Sequence, residues 1–191
     1  MKKSLKDYIY KSSFLEKEFC NVTITDLQKI KESNWQQHTF SNSKNKKLIK
    51  ISGDCELDVL YTNEIENTEI IMRNLWNQID NYIKNFNFPW FNGWVGYTQI
   101  RYNKYTENKR MALHCDHIHS MFDGERKGIP ILSCLGVLND NYEGGEFIMF
   151  DDYKIQLKQG DLLIFPSNFM YPHKVEPVKK GTRHSYVSWV Y

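Results

Sequence analysis

The chain has 191 residues, 41% hydrophobic and 15% aromatic, the length and composition of one globular domain with a real core. Its 25 Lys and Arg against 23 Asp and Glu leave a net charge of +2, so no global field marks a binder of nucleic acid or membrane surface. No apolar run approaches the roughly 18 residues of a membrane span.

The N-terminal stretch MKKSLKDYIYKSSF carries positive charge but no apolar h-region, so it does not read as a signal peptide. Cys20, Cys55, Cys115 and Cys134 are scattered, with no CxxC pair. Reduced thiols in a cytoplasm are expected, bacterial or that of the host if the source is viral. Thr25-Asp26-Leu27-Gln28 has capping-box spacing and predicts a short helix from there through about Ser33. The basic run Lys44 to Lys50, KNKKLIK, reads as a solvated hairpin edge. From Asn67 to Phe86 the residues Met72, Leu75, Trp76, Ile79, Ile83 and Phe86 share one 3.6-residue stripe, which predicts a long helix. Pro89 forbids its continuation. The aromatic segment Phe86 to Trp94, FNFPWFNGW, reads as a helix-to-sheet corner packed into the core.

Beyond Trp94 the pattern changes to short β-branched and aromatic runs: GWVGYTQIRY, PILSCLGVL, GEFIMF, YKIQLK, DLLIF and HSYVSWVY. Asn139-Asp140 with Gly144-Gly145, Gln159-Gly160 and Lys180-Gly181 supply the turns. The expected fold class is α+β, a sandwich or barrel of short strands buttressed by helices. A single domain over 1–191 is expected, with 1–93 a helical support region and 94–191 the β core.

The segment His114 to Ser120, HCDHIHS, crowds metal-binding side chains. If residues 113 to 117 form a strand, His114 and Asp116 face one way and Cys115 and His117 the other. One strand then offers two thirds of a 2-His-1-carboxylate facial triad, and the second histidine comes from elsewhere, His173 or His184. In the last strand Arg183, Ser185, Val187 and Trp189 share a face. A basic residue, a hydroxyl and an indole pointing inward are odd for a core strand unless they hold an anion.

The order HxD (His114, Asp116), distal His173, Arg183 ten residues on and Trp189 six beyond that resembles the Fe(II)/2-oxoglutarate dioxygenases, most closely their prolyl 4-hydroxylase branch. The likeness spans about Trp94 to Tyr191 and includes VLNDNYEGGEFIMF, KQGDLLIFPS and YPHKVEPVKKGTRHSYVSWV. It implies a double-stranded β-helix, a jelly-roll and cupin-like core. It also implies Fe(II) held by His114, Asp116 and His173, 2-oxoglutarate and O2 as cosubstrates, and L-ascorbate as reductant. Arg183 would hold the far carboxylate of 2-oxoglutarate, since a planar, permanently charged fork suits it. Ser185 would add a hydroxyl and Trp189 would line the cosubstrate site. Of the upstream tyrosines that contact the cosubstrate in this family, Tyr102 is the first choice and Tyr105 the second.

The implied activity is hydroxylation of a prolyl residue in a peptide or protein, as in a procollagen-proline 4-dioxygenase, by a monomer or homodimer away from membranes. The alternative is a free amino acid or other small molecule. A nucleic-acid demethylase would carry a second arginine where Trp189 stands. A cupin would use His117, His119 and Glu125, and a metallo-hydrolase the order HxHxDH; both leave His173 and Arg183 idle. A binding module without catalysis sits poorly with an intact triad. His38 and His184 are given no role, Cys115 is expected to be a small buried filler, and His117 and His119 to lie in the loop after the HxD. Residues 120–130, SMFDGERKGIP, are expected to form a lid that excludes water from a reactive centre.

Overall fold

In the computed structural model, which describes residues 3–42, 45, 47–87, 93–116 and 130–191, the chain opens with β1 (Tyr10–Ser13) and α1 (Lys17–Lys29). Four short strands follow, β2 (Gln36–Gln37), β3 (Phe40–Ser41), β4 (Leu48–Ile49) and β5 (Asp58–Leu60), before α2 (Asn67–Phe86). The C-terminal half is β6 (Arg101–Tyr105), β7 (Met111–His114), β8 (Leu132–Val137), β9 (Glu143–Gly144) and β10 (Phe147–Met149). It ends with β11 (Tyr153–Ile155), β12 (Asp161–Pro166), β13 (His173–Val175), β14 (Val178–Lys180) and β15 (Arg183–Val190).

The larger sheet has the order β1-β12-β8-β15-β6-β5-β2 and the smaller β11-β10-β13-β7, with every named pairing antiparallel. This is the expected double-stranded β-helix, two sheets closed around one core. Between the sheets, Tyr105, Leu135, Leu163 and Phe165 of the larger meet Met111, Phe147, Met149 and Val175 of the smaller. The other face of the larger sheet is covered by helix: Leu75, Ile79 and Tyr82 of α2 pack on Leu132, Cys134, Leu162, Ile164 and Val190. Cys20 and Leu27 of α1 share a cluster with Tyr102 and Tyr186.

Burial on both faces explains why β8 and β12 read as continuous apolar runs rather than alternating ones. Phe165 is 1% exposed, and cutting such a ring back to alanine costs about 3–5 kcal/mol.

α2 matches its expected bounds. Its buried face is Thr68, Ile71, Leu75, Ile79 and Tyr82, one step round from the predicted stripe, so Trp76 is half exposed and stacks on Trp94 with ring centroids 4.1 Å apart. Asn87 ends it in the left-handed region at φ 45°, its N–H on the Ile83 carbonyl. Phe86 and Trp94 pack at the rim of the α2 cluster, as a core corner requires, while residues 88–92 between them lie outside the described residues. Of the basic run, Lys47 to Lys50 are exposed and Leu48 and Ile49 pair with β3 as the expected edge, while Lys44 and Lys46 lie outside the described residues.

Three expectations are corrected. α1 begins at Lys17, so Thr25 sits inside it with Oγ1 donating to the Asn21 carbonyl rather than capping it. The run Val22-Thr23-Ile24-Thr25 favours a strand locally, but Cys20, Thr23 and Leu27 at helical spacing bury one face against the core, and burial wins. Of GWVGYTQIRY only the end is strand, and its earlier part makes one bridge, Tyr97 to Val190. Residues before Trp94 also supply strands β1, β2 and β5 to the larger sheet, besides the helices expected there.

Candidate metal and cosubstrate site

β7 and β13 are neighbours in the smaller sheet, and their register sets His114 opposite His173. The strand expected over 113–117 ends at His114, yet Asp116 still returns to the same point: Oδ1 lies 3.3 Å from His114 Nε2 and 3.8 Å from His173 Nε2. All three ligand atoms fall within 4.8 Å of one another. An ion about 2.0–2.2 Å from each donor fits between them with a small inward movement. His184, the other candidate, is on the sheet's helix side and in a separate hollow with Asn139 and Asn21.

The second layer fits a metal as well. Nδ1 of His114 meets the Ala112 carbonyl at 2.8 Å and Nδ1 of His173 meets the Tyr171 carbonyl at 3.0 Å. Each bond places the proton on Nδ1 and leaves Nε2 with a lone pair for an ion. Ser133 donates to Asp116 Oδ2 at 2.6 Å and contacts Ser167 Oγ at 2.7 Å, which fixes the carboxylate plane. Phe40, Phe147 and Phe165 pack against the two imidazoles.

Burial alone would raise the Asp116 carboxyl, but His173, His114 and the Ser133 hydroxyl outweigh it and hold it well below the usual carboxylate range. Burial pushes His173 down to about 4, helped by His114 and opposed by Asp116. The aspartate is therefore charged and His173 neutral near pH 7, the forms that bind metal.

The triad opens into a cavity between the sheets, with Arg101, Asn103 and Tyr105 on one strand, Leu135 and Val187 beside them, and Trp189 near Ser133. Arg183 lies one layer further in. It is 1% exposed, Nη1 donates to Ser185 Oγ at 2.8 Å, and the guanidinium sits 4.9 Å from the Tyr105 ring centroid. Nε has no partner, and among the described residues no carboxylate is within ion-pair distance of it. A buried guanidinium with spare donors fits an absent carboxylate, the end group that 2-oxoglutarate would bring. Arg183 also borders a second hollow whose lining includes Tyr142, Lys154 and two carboxylates, Asp140 and Glu146, the latter paired with Lys154.

Tyr102 is corrected. Arg101, Asn103 and Tyr105 share the inner face of β6, so Tyr102 points to the helices, where its hydroxyl meets Thr68 Oγ1 at 2.7 Å in a buried contact. Tyr105 faces the cavity, and burial raises its phenol so that it stays neutral, with Arg183 opposing. Cys115 is half-buried rather than a buried filler. His117, His119 and the lid expected over 120–130 (save Pro130 at its end) lie outside the described residues. Two residues at the site were not anticipated, Ser133 and Arg101. The signal for Arg101 was present: in IRYNKY a basic residue and an amide alternate onto one face of a core strand, the same oddity that singled out Arg183 and Ser185.

The profile of the 2OG-Fe(II) oxygenase superfamily matches residues 100–191, the stretch that holds all three triad residues and Arg183. Over this stretch, just under half of its length, the chain is similar to that superfamily. Among curated relatives, a PKHD-type hydroxylase of Xylella fastidiosa is 36% identical over 107 residues, covering 47% of this chain and 43% of that one. A PKHD-type hydroxylase of Idiomarina loihiensis is 34% identical over 95 residues, covering 48% and 41%. The matched stretch thus takes in less than half of those relatives' length.

Two solved structures share the fold over most of the chain. A Pseudomonas putida prolyl-4-hydroxylase superposes with a TM-score of 0.66 at 16% identity, over 95% of this chain and 91% of that one. A Trichoplax adhaerens prolyl hydroxylase, solved with a hypoxia-inducible-factor peptide, gives 0.68 at 18%, over 96% and 83%. At these identities the superpositions speak to the fold alone.

Proposed function

We propose that this chain is an Fe(II)- and 2-oxoglutarate-dependent hydroxylase acting on a prolyl residue of a peptide or protein. The carrying observation is the convergence of His114, Asp116 and His173 with each Nδ1 on a backbone carbonyl, together with a buried Arg183 that has no acidic partner among the described residues. Fe(II) with 2-oxoglutarate supplies O2 activation and oxygen insertion when bound, with succinate and CO2 released, and L-ascorbate is the reductant that keeps the metal ferrous.

The chain's own residues do the rest. His114, Asp116 and His173 would hold the ion. Ser133 keeps the Asp116 carboxylate aimed, and the two backbone carbonyls keep the imidazole tautomers fixed. Arg183, with Ser185 and Tyr105, anchors the far carboxylate, and Phe147, Leu135 and Val187 keep water from the space between. The second reading, hydroxylation of a free amino acid or other small molecule, is favoured by Arg101 in the same cavity. A cytoplasmic setting accords with four free cysteines, and no described helix is long and apolar enough to cross a membrane.

The test is succinate release from 2-oxoglutarate across a panel of proline-containing peptides and free amino acids, with mass spectrometry for a product heavier by one oxygen. Coupled release with one class names the substrate. Failure to bind 2-oxoglutarate with Mn(II) would refute the oxygenase reading itself.

A further inference from the structure

Arg101 is a second buried guanidinium, on the same inner face as Tyr105 but four residues along β6. It is 9% exposed and lines the cavity that holds the triad. Its one hydrogen bond among the described residues runs from Nε to Asn103 Oδ1 at 3.1 Å. That leaves Nη1 and Nη2 without partners there, and no described carboxylate lies within ion-pair distance. The guanidinium stacks 5.0 Å from the Trp189 ring centroid, and the Trp189 indole N–H is itself buried without an acceptor. Burying a cation with no counterion costs several kcal/mol, so such an arrangement points to an anion that arrives from outside.

The sheet register separates this anion from the cosubstrate's. Tyr105 is opposite Arg183 on β15, whereas Arg101 is opposite Val187, four positions along the same inner face. At about 3.3 Å per residue the two strand positions are about 13 Å apart. Trp189, which carries Arg101 on its ring, pairs with Ser133, the residue that holds Asp116. Along β6 and β15, Arg183 therefore stands at the Tyr105 end, and Arg101 at the end where Trp189 meets Ser133 and, through it, Asp116.

We infer that Arg101 binds a carboxylate of the substrate, so that the molecule hydroxylated here presents an acid group close to the carbon that reacts. This rests on the hydroxylase reading above. A carboxylate suits the site better than a phosphate. One planar fork offers two parallel N–H donors that match the two oxygens of a carboxylate, and Met111, Leu135, Val175 and Val187 make much of the remaining wall apolar. The acid could be that of a free amino acid, the C-terminus of a peptide, or an acidic side chain next to an internal proline, and all three present the same group.

Binding can be read apart from turnover. The enzyme is loaded with Mn(II) and 2-oxoglutarate and titrated with four pairs of probes. These are L-proline against L-prolinamide, L-pipecolic acid against its amide, a peptide ending in proline as free acid against its amide, and an Asp-Pro peptide against the Asn-Pro form. At least one acid is expected to bind about 10- to 100-fold tighter than its neutral partner, the range of a charge-assisted hydrogen-bonded pair. The pair that discriminates identifies the source of the acid. In Arg101→Gln the preference should fall to near unity while 2-oxoglutarate affinity stays within about twofold, and Arg101→Lys should restore part of it.

If no pair shows an acid preference, the inference is overturned. It is equally overturned if Arg101→Gln weakens 2-oxoglutarate about tenfold, which would make Arg101 a cosubstrate anchor. The wild-type comparison needs no variant and so survives a misfolded mutant. Loss of 2-oxoglutarate binding in the wild type would instead refute the oxygenase reading.

Discussion

His114 and His173 are held in the same way: each imidazole Nδ1 meets the carbonyl two residues before it in the chain, and the two rings face each other across β7 and β13 with centroids 4.4 Å apart. Both Nε2 atoms are thereby directed at Asp116 before any ion binds. Asp116→Ala and His173→Ala should each abolish turnover and strongly weaken Mn(II) binding, read by titration. Ser133→Ala, which removes only the carboxylate's support, should cost about 10- to 100-fold in metal affinity. Unchanged Mn(II) binding in Asp116→Ala would rule out this triad.

Arg183 should set the 2-oxoglutarate dependence. Losing a charge-assisted pair in a dry pocket costs on the order of 3 kcal/mol, so Arg183→Ala should raise the apparent KM for 2-oxoglutarate by about two orders of magnitude. Arg183→Lys should recover only part, because an ammonium lacks the planar fork. An unaltered KM in Arg183→Ala would move the anchor elsewhere.

The two tyrosines of β6 should behave oppositely. Tyr105→Phe should raise the KM for 2-oxoglutarate about 5- to 10-fold with little change in melting temperature. Tyr102→Phe should leave that KM alone and cost about 1 kcal/mol of stability by breaking the Thr68 contact. The reverse pattern, seen in steady-state kinetics and thermal melts, would restore Tyr102 to the site.

Gly136 is required for packing. It is opposite Tyr186 in the register, and a Cβ built on it would come within 1.9 Å of the Tyr186 ring, which is fully buried. Gly136→Ala should therefore destabilise the fold by about 1–3 kcal/mol or more, read as a lowered denaturant midpoint. A midpoint within error of the wild type would show that the ring yields.

Acid should weaken the fold through His184. Burial, with Lys104 and Arg183 nearby, pushes its imidazole down to about 4 from the ordinary 6.5. Between those values the unfolded chain binds the proton and the folded one does not, so stability is complete above about pH 6.5 and falls as pH drops toward 4. The loss is on the order of 3 kcal/mol at its limit. His184→Gln should flatten this part of the stability profile, and an equally steep acid loss in the variant would assign it to other groups.

Much of the site was legible because its chemistry demands particular residue types at particular spacings. An HxD whose side chains meet at one point, a later histidine, and an arginine on the inward face of a last strand are constraints on identity, and identity is what a sequence records. α2 was equally plain, since twenty residues give the apolar period several turns in which to declare itself. β1, β2 and β5 were not, because strands of two to four residues carry no measurable period and form only where a sheet edge receives them. α1 began earlier than its apparent cap, since the burial of Cys20, Thr23 and Leu27 outweighs what a local β-branched run prefers.

By itself, then, the sequence determined the candidate triad of His114, Asp116 and His173, the inward-facing Arg183 and the long helix α2. Only the tertiary structure decided which face of β6 looks inward. That strand is buried on both sides, toward the smaller sheet on one and the helices on the other, so Tyr102 and Tyr105 look alike in the sequence. Pairing with β15 resolves them by setting Arg101, Asn103 and Tyr105 on the face of Val187, Ser185 and Arg183. The same pairing places Arg101 beside Trp189, and that of β8 with β15 places Ser133 opposite Trp189. These contacts join residues distant along the chain, and strand register, set by the packing of whole faces, is what creates them.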